Sequence, residues 1–262
     1  MASETPASTH PAPGGDPATH RAPPGALAVF LNIFFEPRPA FQALNLTPRW
    51  VFPLLVAAAM ATLTQAVLMY RVDRETLFKL SAPGLAKKMN DPQVANAVRQ
   101  QIENPPAPWI TYVTTPVVVA ALVLAVAGIF VGIFALFDFG GTFKKVFSVT
   151  AHAMAAHGLA YNGLAAIIVW LKTDHAGMDL YNIVMANPAF LLDPSAGSPF
   201  LRSLAASLDL LSAWLLYLLI VGYAAVQPQA SRRGTAAVVL SLWLLYVLGK
   251  ASFAAAMASL IG

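Results

Sequence analysis

From Trp109 to Phe137 the chain runs without a single Asp, Glu, Lys or Arg. Coiled as a helix rising 1.5 Å per residue, such a run is roughly 43 Å long, against roughly 30 Å of hydrocarbon in a bilayer. A helix apolar on every side has no face to offer water. The run therefore reads as a membrane span with length to spare, so that it tilts or protrudes.

Four further segments are long and apolar enough to cross. The five expected spans are 50–70, 109–137, 146–171, 204–226 and 236–261. The first carries an aromatic residue at each end, where interfacial belts form. Charge supports the reading: only 11% of the 262 residues are charged, where soluble domains carry about 25%. Backbone groups in lipid must bond within their own segment, which leaves helices or closed barrels. The alternating pattern of a barrel is absent. The expected fold class is all-α, a polytopic membrane bundle of five transmembrane helices over 50–262.

Residues 1–24 are rich in Pro, Ala, Gly and Thr and read as a disordered tail. They have neither the basic nor the apolar region of a cleaved signal peptide. Residues 25–49 read as a juxtamembrane amphipathic segment. Their apolar stretch, Ala26–Phe35, is too short to span and ends at Glu36-Pro37. Between the first two spans, Asn90-Asp91-Pro92 is a helix-start signal. Val94, Val98 and Ile102 follow at every fourth position, predicting a short amphipathic helix that ends at Asn104-Pro105-Pro106.

The basic residues set an orientation. Arg21, Arg38, Arg49, Lys144, Lys145, Arg232 and Arg233 fall on one side of a five-span chain, seven bases against four acids. The other side balances eight against eight, with Lys250 inside the last span. The positive-inside rule puts the N-terminus in the cytoplasm and the C-terminus outside.

No nucleophile elbow, H-E-x-x-H, P-loop or G-x-G-x-x-G pattern occurs. There is no cysteine, hence no disulfide framework and no thiolate nucleophile or ligand. The bases are scattered, not interleaved with aromatics, so nucleic acid is not an expected partner. No catalytic, cofactor or metal site is assigned, and the chain reads as a non-enzyme.

Three polar features lie within the spans. A charge such as Lys250 costs about 3 kcal/mol in the bilayer centre unless it snorkels or finds a partner. Treating spans four and five as a straight antiparallel hairpin places it within a helical turn of Asp209, and a Lys250–Asp209 ion pair pinning the hairpin is expected. His152 and His157 are five apart and point to different faces, while His157 and Tyr161, four apart, share one. With Gln65, Asn162 and Lys250, these histidines form an intramembrane polar set that could line a path. Gly128 and Gly132, with Ser252, Ala255, Ala256 and Ser259 on the last span, would let helices approach closely. Asp138-Phe139-Gly140-Gly141 followed by Lys144-Lys145 reads as a tight turn held at the cytoplasmic side.

The stretch "FEPRPAFQALNLTPRWVFPL" resembles the opening signature of the Yip1-domain family, in which Pro-x-x-x-Phe leads to Trp-x-x-Pro; here these are Pro37, Phe41, Trp50 and Pro53. "GGTFKKVFSV" is similar to the turn before the family's third span. "NPAFLL", followed by Ser207, Asp209, Ser212 and Trp214, resembles the outer loop and fourth span of bacterial members. The likeness covers roughly residues 30–260, with His157-Gly158 standing where a proline is common. It implies an integral membrane protein of a bacterial cytoplasmic membrane without catalytic activity, an accessory or scaffold subunit of a complex such as an ABC-type exporter. Expected partners are the lipid bilayer, exporter or adaptor subunits, or a second copy of the chain. The competing expectation is a small permease or ion channel. In either case residues 34–55, with Phe30 just before them, read as a membrane-surface foot: Phe30, Phe34, Phe35 and Phe41 dip into the headgroup boundary, Arg38 and Arg49 meet lipid phosphates, and Trp50 anchors the first span.

Overall fold

A computed structural model describes residues 25–82, 86, 88–105, 107–180, 182–192 and 198–261. The expected tail at 1–24 lies outside the described residues. Those residues form ten α-helices, one 3-10 turn and no strand: α1 (Ala26–Phe35), α2 (Pro37–Leu46), α3 (Val51–Arg71), α4 (Arg74–Ser81), α5 (Pro92–Glu103), α6 (Pro108–Leu136), α7 (Phe143–Leu171), the turn Pro188–Leu191, α8 (Pro199–Ala206), α9 (Leu210–Val226) and α10 (Arg232–Ile261).

Four helices, α3, α6, α7 and α10, are long and apolar enough to cross a membrane, and α8 with α9, bent by 56°, are so together when counted as one broken span. The chain is thus a helical bundle with the build of a multi-pass membrane protein. Large side chains such as Leu55, Val117, Ile129, Leu245 and Phe253 stand outward, as lipid-facing surfaces do. Four of the five expected spans are matched to within a few residues. The fourth differs: its continuous 204–226 helix is interrupted at Ser207–Asp209, where the Asp209 carboxylate accepts from Ser212 N at 2.8 Å and starts a new helix. An N-capping side chain inside an apolar run competes with continuation of the helix.

The central element is α7. From Val146 to Ala156 nearly every residue is buried, polar Ser148, Thr150 and His152 included. Around it pack α3, α6, α9 and the α1–α2 pair. Thr64 of α3 donates to the backbone oxygen of Asn162 at 3.1 Å. Thr150 and Tyr223 of α9 meet through their hydroxyls at 2.8 Å. Thr150 already donates its single proton to Val146 O, so Tyr223 is the donor between them.

The membrane-surface foot is corrected. Pro37 starts a second helix, its missing N–H harmless in a first turn, and α1 folds back on α2 as a hairpin packed into the bundle. Phe30, Ile33, Phe41 and Leu44 join the main core with Phe130, Phe134 and Tyr223. Phe30 lies edge-on to Phe52, and Phe34 rests on Trp214 of α9. Of the four phenylalanines expected in the headgroup region, Phe35 alone is largely exposed, at 83%. The slot for the hairpin is Gly222: a methyl there would lie 2.5 Å from Val149 Cγ1 and 3.0 Å from the Phe41 ring. Trp50 is half-buried rather than a free interfacial anchor, its ring 5.3 Å from Phe147 of α7, while Pro53 is buried in the first turn of α3.

At one end, which carries Arg38, Lys144, Lys145, Arg232 and Arg233, the α6–α7 turn meets the α9–α10 turn. Asp138, Gly140 and Gly141 have φ of 51°, 74° and 85°, the left-handed region that glycine enters freely. Gly141 also has no room for a side chain, since a Cβ would sit 2.5 Å from Gln227 Oε1. Gln229 N donates to Phe139 O and Lys145 Nζ to Asn45 Oδ1, tying both turns and α2 together.

At the opposite end, Asp91 caps α5 by accepting from Gln93 N, as its sequence signal predicts. α4 was not anticipated; Asp73 caps it through Thr76 N.

Candidate functional site

The break between α8 and α9 opens a polar cavity of about 200 Å³. Four elements build its wall. α7 supplies His157 and Tyr161, whose rings stack at 6.0 Å with an angle of 11°, as their spacing of four allows. The 172–198 segment supplies Asn182 and Asn187, joined by an amide hydrogen bond of 2.7 Å. The break supplies Ser207, Asp209 and Ser212, and α10 supplies Trp243, Tyr246 and Lys250.

Depth follows from helix geometry. Lys250 is eighteen residues from Arg232, roughly 27 Å along the axis at 1.5 Å per residue. His157 is fourteen residues into α7, roughly 21 Å from its start. The cavity thus occupies the half of the bundle away from the basic end and approaches the opposite interface, where a lysine head can reach water.

The expected Lys250–Asp209 ion pair is not made. Lys250 Nζ donates to Ser207 Oγ at 3.3 Å, and among the described residues no acid lies within ion-pair distance of it. The straight-hairpin register misses the break, which turns Asp209 toward the α9 backbone and brings Ser207 within reach. Both charges still face one cavity, so each has a polar setting without direct contact.

The remaining polar set is divided. His152 is fully buried, Nδ1 2.8 Å from Ser148 O and its ring beside Phe30, with Nε2 unpartnered. Gln65 is exposed on a groove formed with Arg74, Phe78 and Gln101. Asn162 is half-buried, its backbone oxygen holding Thr64. Of the five polar positions Gln65, His152, His157, Asn162 and Lys250, His157 and Lys250 alone line the cavity together. Gly128 and Gly132 lie on the outer surface of α6, and a methyl at either meets nothing within 4 Å. Among the described residues no helix packs on them.

Tyr246, Trp243, Asn182 and Asn187 were not singled out from the sequence. The Asn187-Pro188 cap and the Asp209-x-x-Ser212 spacing were the available signals for the loop and the break. Chemically the cavity offers a carboxylate, an ammonium, an imidazole and several hydroxyl and amide groups. Among the described residues no three His, Asp or Glu side chains gather in a metal-holding group. No family model, curated protein or solved structure matches the chain.

Proposed function

We propose that this chain is a non-enzymatic membrane scaffold of the Yip1-like type, an accessory subunit of a larger membrane assembly such as an ABC-type exporter. The observation that carries the reading is the commitment of the polar groups buried around α7 to packing between helices. Thr64, Thr150, His152 and Tyr223 are committed to packing around α7, and the α1–α2 hairpin fills the space beside His152. A core consolidated in this way suits a rigid part that holds neighbours. The end that carries Arg38, Lys144, Lys145, Arg232 and Arg233 faces the cytoplasm in this reading, and the loops between α3 and α6 and between α7 and α9 face outward for partners. Affinity capture of the tagged chain from detergent extracts should recover a stoichiometric transporter or adaptor subunit. Recovery of the chain alone, repeated after cross-linking in intact membranes, would overturn the proposal.

A second reading, a small permease or ion channel, is favoured by one feature. Ionisable side chains at a discontinuous helix are a common arrangement for substrate and ion sites. Flux in proteoliposomes that disappears in Lys250→Met supports this reading against the first.

A further inference from the structure

We propose that the cleft between Arg38 and Arg232 binds the phosphate of an anionic phospholipid. Arg38 and Gln42 of α2 form one side, Arg232 at the start of α10 another, and Val221, Ala224 and Ala225 of α9 the apolar back wall. Both arginines are exposed, and among the described residues neither has an acid within 4.0 Å. Two guanidiniums facing one small space without a counter-ion repel each other, and an anion between them relieves that repulsion.

Size and depth select the anion. The cleft holds about 100 Å³, several times the roughly 10–15 Å³ of such space that one water needs, so a phosphate group can enter. Val221 and Ala225 lie within the last six residues of α9, at most roughly 8 Å from its end along the axis. That depth is the boundary between headgroups and acyl chains. A lipid can place its phosphate between the guanidiniums and its chains along α9, whereas a soluble anion gains nothing from the apolar wall. Basic pockets between membrane helices hold anionic headgroups in this way. Only a leaflet at this end is required, so the inference stands independently of the scaffold reading.

The test uses the full chain in mild detergent with an equimolar mixture of phosphatidylglycerol and phosphatidylcholine, bound lipid being counted by native mass spectrometry. Phosphatidylglycerol should be retained preferentially. Arg38→Gln or Arg232→Gln should lower that preference roughly fivefold, and the double variant roughly thirtyfold. Arg233→Gln, adjacent in sequence but not lining the cleft, should leave it nearly unchanged. Equal retention of the two lipids, or an equal loss in Arg233→Gln, overturns the site. Displacement of phosphatidylglycerol by inorganic phosphate overturns the choice of a lipid in favour of a free anion.

Discussion

Lys250 of α10 donates to the hydroxyl of Ser207 across the break between α8 and α9, at 3.3 Å. The contact joins a charge to a neutral acceptor, while Asp209, two residues on, spends a carboxylate oxygen on the N-terminus of α9. The two charged side chains therefore have separable roles. Lys250→Met should cost no more than about 1 kcal/mol, because an exposed ammonium loses one hydrogen bond and no buried partner is stranded. Asp209→Ala should cost about 1 kcal/mol through the lost cap, and Asp209→Asn much less. Thermal unfolding in detergent measures all three, and the Lys250→Met and Asp209→Ala losses should add. Strong coupling between them would reveal a direct ion pair.

Gly222 sets how closely the α1–α2 hairpin approaches the bundle. Its missing side chain is the space taken by Val149 Cγ1 and the Phe41 ring, both residues fully buried. Gly222→Ala should destabilise by about 1–3 kcal/mol, the range for overpacking a closed core. Adding Val149→Ala removes the nearest clash, so the double variant should be more stable than the two separate losses predict. Proteolysis near residues 25–49 should accelerate in Gly222→Ala if the hairpin is what yields.

Gly128 and Gly132 should behave in the opposite way. A methyl at either position meets only open space, and alanine is the better helix former by about 1 kcal/mol. Gly128→Ala and Gly132→Ala should leave stability unchanged or raise it. A fall, or a change in the particle size measured by light scattering, would place another helix against this face.

Much of this architecture is written in the apolar runs, because lipid leaves a long uncharged segment few alternatives to a helix. The inward placement of α1 and α2 is not written there. Phe30, Ile33, Phe41 and Leu44 form an apolar face that lipid or protein can cover equally well, and the choice depends on a slot at Gly222, some 180 residues away. The break at Ser207–Asp209 was half visible: Asp209 with Ser212 is a cap signal, but an apolar context on both sides reads as one span. The cavity depends on that break, so Tyr246 and Asn187 had no local mark of their place beside His157.

Asp73 gives a pH dependence outside the membrane. The backbone N–H of Thr76, followed by its hydroxyl, holds the Asp73 carboxyl below its ordinary value of 3.8. A group whose folded pKa is depressed stabilises the fold above its unfolded pKa and loses that contribution as pH falls through the folded value. The first turn of α4 should therefore fray on acidification below the ordinary carboxylate range. Amide exchange of residues 74–77 followed against pH reads this directly. Asp73→Asn should remove the pH dependence and keep most of the cap.

The hydroxyl pair at the centre of the bundle makes an asymmetric prediction. Thr150 gives its proton to Val146 O and accepts from Tyr223. In Tyr223→Phe the threonine keeps its donor bond and loses an incoming one, which should cost about 1 kcal/mol. In Thr150→Val the tyrosine is left with a buried O–H donor and no acceptor, so the loss should be larger, about 1–3 kcal/mol. The double variant removes both groups and should be close to Tyr223→Phe rather than to the sum, since no orphaned donor remains. Denaturant unfolding in micelles across the four proteins measures the cycle. Equal single losses would mean that Tyr223 donates elsewhere and that the bond does not join α7 to α9.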